Sequence, residues 1–165
     1  MMDSQVILLV GPIRSGKTTT LRKWTKNTSN VVGYLSPDIE GKRVFEEIGS
    51  GNKLPMQVKD GDLIIGKYTF DSTSFDYIKN KILKTCRNKN VDYIVIDEIG
   101  PLEIKKNLGF HDLLLQLQSN NHLKKTNLIL VVRNNCIKPF LAKYKFKNVK
   151  VVSIDNINNS MFKTS

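Results

Sequence analysis

The chain has 165 residues, 40% of them hydrophobic, and 26 Lys+Arg against 15 Asp+Glu give a formal net charge of +11. That length suits one domain with an interior large enough to need no staples. Cys86 and Cys136, with no Cys-x-x-Cys spacing, exclude a disulfide framework and read as free thiols. No apolar run is long enough to span a bilayer, and residues 1–5 carry no basic leader segment, so a soluble cytoplasmic protein is expected.

In chain order, residues 6–10 form an aliphatic run that reads as a strand buried on both faces. Gly11-Pro12-Ile13-Arg14-Ser15-Gly16-Lys17-Thr18 follows with the spacing G-x-x-x-x-G-K-[ST], and a helix-compatible stretch continues to about Lys26. Strand, glycine loop and helix in that order turn successive backbone N–H groups inward and aim a helix N-terminus at the same point, which makes a cradle for phosphate oxygens. Gly11 and Gly16 keep a Cβ out of the turn and away from the phosphate. The expected nucleotide-binding set is Gly11, Pro12, Ile13, Arg14, Ser15, Gly16, Lys17, Thr18 and Thr19. Lys17 should reach the β- and γ-phosphates, and the Thr18 hydroxyl should bind Mg²⁺.

Leu21, Trp24 and Thr28 share one face of the first helix. Residues 31–35 read as a second strand, broken by Ser36-Pro37-Asp38. Residues 43–48, 54–58 and 63–70 read as short strands of an antiparallel meander, with a hairpin expected at Asp60-Gly61-Asp62. Thr73 or Ser74 should cap a helix whose Phe75, Ile78, Ile82 and Leu83 recur at helical spacing. A buried strand over 91–96 ends in Asp97-Glu98, and Phe110, Leu113, Leu114 and Leu117 mark another amphipathic helix. A strand over 128–132 runs into Arg133-Asn134-Asn135. Pro139 opens a short helix, and a last strand covers 149–154. Strands alternating with helices define a single α/β domain over residues 1–165, a mostly parallel sheet with helices on both faces and the meander inserted.

Ligands of such a sheet bind beyond the carboxyl ends of its strands. Asp97 therefore stands where an acid joins Thr18 in holding Mg²⁺, and Glu98 where a carboxylate orients a water or takes its proton. A glutamate of ordinary pKa, about 4.3, is a feeble base, so orientation is its larger contribution. The bland alternative for both acids is a cap on the following turn. His111 and His122 read as surface residues, and an open sheet would place a base pocket near residues 155–159.

The run Asp97-Glu98-Ile99-Gly100-Pro101-Leu102-Glu103 resembles the signature of the small nucleoside-triphosphatase family that includes the cancer-related nucleoside-triphosphatase and its thermophile relatives. Gly33-Tyr34-Leu35-Ser36-Pro37-Asp38-Ile39, Arg43-Val44, Gly66-Lys67-Tyr68 and Arg133 fall in that family's order, so the resemblance extends from Val6 to about Arg133. Two positions depart from it: Arg14 replaces a small residue or glycine, and Phe45-Glu46 stands where Gly-Phe is expected. The resemblance implies a RecA-like sheet extended by the meander. It also implies Mg²⁺-dependent hydrolysis of nucleoside triphosphates (ATP, GTP, CTP and UTP) with weak preference among bases. The catalytic set is then Lys17, Glu98 and Arg133, the last as an internal arginine finger or, equally, a strand-end ion-pair partner. Glu103 either fixes Arg133 or Lys67 or stabilises a helix N-terminus.

Other readings compete. A nucleoside or nucleotide kinase shares the phosphate loop and could use Asp38 or Glu98 as base, but no cluster of arginines suggests a lid. A GTP switch is supported by Asp97-x-x-Gly100 but not by Asn88-Lys89-Asn90-Val91-Asp92, whose acid comes one position late. A nucleotide-switched nucleic-acid binder would use Lys138, Lys143, Lys145, Lys147 and Lys150. These are not interleaved with exposed aromatics in the way of single-strand surfaces, so a solvated face is the favoured reading; a monomer is expected.

Overall fold

Strands built from unbroken aliphatic runs have no polar face to offer water, and they take the middle of the sheet. The computed structural model describes residues 4–12, 14–88, 90–119 and 125–156. Its strands are β1 (Val6–Val10), β2 (Val31–Leu35), β3 (Asp38–Ile39), β4 (Lys42–Glu47), β5 (Lys53–Pro55), β6 (Leu63–Ile65), β7 (Tyr68–Phe70), β8 (Tyr93–Ile99), β9 (Asn127–Val132) and β10 (Val149–Ser153). Its helices are α1 (Lys17–Lys26), α2 (Ser72–Asn88), α3 (Pro101–Lys106), α4 (His111–Ser119) and α5 (Ile137–Lys143). The main sheet runs β10-β1-β9-β8-β2-β4-β3, with β5 paired to β4. Strands β10, β1, β9, β8 and β2 are mutually parallel, and β4 begins an antiparallel extension. Counted in chain order, the parallel strands stand fifth, first, fourth, third, second across the sheet, so β1 lies between two strands from late in the chain. The α/β, RecA-like expectation holds.

Alternation along the strands divides the interior in two. Leu8, Ile96 and Leu130 face Ile78 of α2, Leu114 of α4 and Phe140 of α5 in the larger core. Leu9, Val95 and Val131 face Leu21 of α1 in a smaller one. Both faces are covered, but unequally: among the described residues, α1 is the one α-helix with a side chain buried in the smaller core. Gly33 sits at φ +131°, and a Cβ there would collide with the Val95 carbonyl, so β2 can approach β8 only as glycine.

The meander is not continuous. Residues 56–58 pair with 69–71, through a Gln57–Phe70 bridge and a Val58 N–H to Thr69 carbonyl bond of 3.0 Å, while β6 and β7 form their own hairpin. The tight turn therefore falls at Gly66-Lys67, where Gly66 takes φ +58°, rather than at Asp60-Gly61-Asp62. Gly61 serves another purpose: a Cβ on it would strike the Phe70 backbone. Phe45 of β4 is fully buried and meets Tyr34, Phe75 and Phe110 edge-on, which ties the antiparallel extension to α2 and to the start of α4.

Helix α2 starts earlier than expected because Asp71, not Thr73 or Ser74, provides its cap, accepting the Thr73 N–H at 3.0 Å. Helix α3 has only six residues, too few for a hydrophobic period to announce it. Cys86 and Cys136 are free thiols. His111 is not a plain surface residue, since its Nδ1 lies 2.7 Å from the Tyr144 hydroxyl. His122 lies outside the described residues, as do Lys89 of the Asn88–Asp92 segment and the end of the 155–159 segment. No helix among the described residues is long and apolar enough to cross a membrane.

Candidate active site

Strand β1 ends at Val10 and helix α1 begins at Lys17, so the glycine loop hangs over the carboxyl edge of the sheet. Gly16 caps the helix in the left-handed conformation, φ +84°, and Arg14 is also left-handed at φ +60°. The Lys17 ammonium is folded onto its own loop, donating to the carbonyls of Gly11 (2.9 Å) and Pro12 (2.7 Å) and to Ser15 Oγ (3.3 Å). Partial burial lowers its pKa, against the opposing pull of Glu98 and Asp97. Thr19 is exposed on α1, and Ile13 lies outside the described residues.

Two strands away, β8 carries the acids. Asp97 is buried on the α1 side of the sheet. Its Oδ2 accepts the Thr18 hydroxyl at 2.7 Å and the Ser36 N–H at 2.9 Å, and the Ser36 hydroxyl donates to its carbonyl. Burial pushes this carboxyl's pKa up. The Thr18 hydroxyl and the Asp97 carboxylate are hard oxygen donors in contact, the kind Mg²⁺ prefers. Among the described residues no group of three or more His, Cys, Asp or Glu could cage a metal. The pair therefore suits an ion that keeps its other positions for phosphate and water, and a cation beside Asp97 would relieve the cost of burying its charge.

The register between β8 and β9 slips between Asp97 and Ile99, leaving Glu98 at a bulge. Such a bulge re-aims a side chain at a strand end. Glu98 is gripped from both sides: Arg43 Nη1 lies 2.6 Å from Oε2, and Arg133 Nε lies 2.6 Å from Oε1. Arg43, on β4, also donates to the Ser36 carbonyl at 3.0 Å, which links the antiparallel extension to the acid strand. Lys17, Thr18, Asp97, Glu98 and Arg133 thus line one cavity of about 420 Å³, together with Gly11, Pro12, Arg14, Ser15 and Gly16. Arg43 also lines that cavity, with Ser36, Asp38, Asn134 and Asn135, and was absent from the expected site. Its signal was present in the Arg43-Val44 segment, but nothing in the sequence pairs β4 with the end of β8.

Glu103 does not hold Arg133 or Lys67. It is buried, and its oxygens accept the N–H groups of Gly100 (3.0 Å) and Phe110 (3.1 Å), capping α3 and anchoring the entry to α4. Burial raises its pKa to about 7, although both N–H bonds favour the charged form. The fold thus favours the protonated acid, whose contribution to stability is complete below about pH 4.5 and is lost as the pH rises towards 7. Urea unfolding should show the wild type losing about 3 kcal/mol relative to Glu103→Gln across that window, and a constant difference between the two would refute the shift. Lys143, one of the five late lysines, is engaged with the carbonyls of Glu103 and Ile104, both at 2.9 Å, at the end of α3.

A phosphate loop between strand and helix, beside a buried acid at the end of a parallel sheet, defines a P-loop nucleotide-binding protein. A family model described as NTPase matches residues 6–164. Nucleoside-triphosphatase THEP1 of Saccharolobus solfataricus is 33% identical over an alignment of 110 residues that covers 60% of this chain and 62% of that protein. The match thus spans less than two thirds of that relative's length. The crystal structure of THEP1 from the hyperthermophile Aquifex aeolicus has a similar fold, with a TM-score of 0.70 at 17% identity, covering 90% of this chain and 89% of that one. The chain belongs to the NTPase family of small P-loop nucleoside-triphosphatases, as the run from Asp97 to Glu103 suggested.

Proposed function

We propose that this chain is a single-domain, monomeric, cytoplasmic nucleoside-triphosphatase that hydrolyses ATP, GTP, CTP and UTP to the diphosphate and phosphate. We propose that it depends on Mg²⁺ and discriminates weakly among bases. The observation that carries this reading is the convergence on one cavity of the Lys17 ammonium, the Thr18–Asp97 pair and the Arg43–Glu98–Arg133 clamp. Amides of the glycine loop and the α1 N-terminus hold the phosphate tail. Lys17 exchanges the Gly11 and Pro12 carbonyls for phosphate oxygens, which bind an ammonium more strongly because they are charged. Mg²⁺, when bound by Thr18 and Asp97, neutralises charge on the β- and γ-phosphates.

Glu98 has a guanidinium group on each oxygen, which draws its charge and its orientation away from a water in that state. A γ-phosphate entering the cavity competes for Arg43 and Arg133. As they turn to it, Glu98 is released to accept a hydrogen bond from water and align it with the γ-phosphorus. Arg133 and Lys17 then face the oxygens on which charge gathers as the phosphoryl group transfers. Water attacks, the bridging oxygen leaves with the diphosphate, and Glu98 passes the released proton to solvent. Weak discrimination among bases is consistent with a grip built on main-chain amides, Lys17 and two arginines, which read phosphate rather than a ring.

A nucleic-acid partner is possible but not favoured: Lys143 is engaged within the fold, while Lys138, Lys145, Lys147 and Lys150 are exposed as a solvated face. Phosphate release from each of the four triphosphates, with and without Mg²⁺, tests the proposal. Turnover within about tenfold across the bases and lost on chelation is expected. Release confined to GTP would replace this reading with a guanine-specific switch, and undiminished release in chelator would remove the metal.

A further inference from the structure

Beside the phosphate cavity lies a larger one of about 740 Å³, within the range of small-molecule sites. The two share Arg14, Asp38, Arg43, Glu98 and Arg133 as a common wall. Away from that wall the larger cavity is apolar, lined by Met56, Ile65, Tyr68 and Phe70 from the meander and by Pro101 and Leu102 of α3. Tyr68 is 45% exposed. Glu103 also borders the cavity, but its carboxyl oxygens are taken up by the N–H groups of Gly100 and Phe110.

Position separates this cavity from a base pocket for the triphosphate itself. Lys17 and Thr18 mark the β- and γ-phosphates, and Glu98 stands on the γ side of them. A cavity reached past Glu98 is therefore at the γ end of the tail, while the nucleotide's own ring leaves from the α end. Among the described residues of the glycine loop, only Arg14 borders it.

We propose that the larger cavity is a phosphoryl-acceptor site for a neutral ring compound of nucleoside size bearing a hydroxyl. This rests on the triphosphate reading above. The apolar walls and the Tyr68 ring take the planar body, Gln57, whose Oε1 accepts the Arg43 backbone N–H at 3.4 Å, offers its amide NH2 to a ring edge, and the hydroxyl points at the shared wall. An uncharged body fits because, Glu103 apart, the acidic and basic side chains among the described lining residues all lie in that wall. In the transfer, the acceptor oxygen bonds to the γ-phosphorus as the bond from that phosphorus to the β–γ bridging oxygen breaks. The electron pair leaves with the nucleoside diphosphate, and the acceptor's proton passes to Glu98 and then to solvent. Water takes the same place when no acceptor is bound, so hydrolysis and transfer become two outcomes of one site.

The test follows γ-labelled ATP in the presence of adenosine, guanosine, cytidine or uridine, with glycerol as a ring-free alcohol. At least one nucleoside is expected to take label as its monophosphate, and glycerol to take none. Tyr68→Ala, and Ile65→Trp which fills the same cavity, should cut transfer about tenfold while phosphate release without nucleoside stays within about twofold. Label found wholly in phosphate with all four nucleosides, equal transfer to glycerol, or nucleosides acting only as competitors of ATP would each overturn the acceptor site. Absence of any turnover would instead overturn the triphosphatase reading and remove this one's basis with it.

Discussion

Lys17→Ala is expected to lose nearly all phosphate release and to weaken triphosphate binding together. The ammonium is held by two loop carbonyls and Ser15, so it is already in the cavity rather than waiting in solvent. Each charge-assisted bond that it transfers to a phosphate oxygen contributes about 1.5–3 kcal/mol. Loss of two such bonds lowers kcat/KM by on the order of a thousandfold, most of it in kcat where charge grows in the transition state. Lys17→Arg should not rescue this, because a planar fork cannot occupy the place of a compact ammonium between Gly11 and Pro12. Calorimetry with a non-cleavable triphosphate analogue separates the two effects. Binding and turnover both at wild-type level in Lys17→Ala would remove the loop from the chemistry.

Much of this was legible in the chain. The three strands that hold the loop, the acids and Arg133 are built on continuous aliphatic runs, and a buried parallel strand leaves that mark and little else. The expected second strand over residues 31–35 coincides with β2. What escaped depends on contacts between distant segments. Nothing local to Arg43 shows that β4 folds back along β2 and brings its side chain to Glu98, 55 residues on. The Glu98 bulge is likewise a property of the β8–β9 pair, not of either sequence. The turn at Gly66-Lys67 displaced the one expected at Asp60-Gly61-Asp62 for a tertiary reason: Gly61 is needed where the Phe70 backbone crosses it. Glu103 was recognised as an acid near a helix start, but its burial, and therefore its raised pKa, follows from the packing of Phe110 and Gly109 over it.

The sharper test of the mechanism is Glu98→Gln. Turnover should fall about a hundred- to a thousandfold, the usual range for losing a positioned acid–base group, while affinity for the triphosphate is retained. The clamp predicts more than retention. Glu98 competes with the γ-phosphate for two guanidinium groups, and a neutral amide competes far less, so the substitution should tighten binding several-fold as it stops turnover. Arg43→Ala should do the reverse, weakening binding while leaving Glu98 paired only with Arg133. A carboxylate that served only to cap the turn after β8 would give neither pattern: Glu98→Gln would turn over normally, and the two substitutions would not oppose each other in affinity. Opposite signs at two residues 2.6 Å apart are hard to obtain from a general loss of stability, which would depress binding in both.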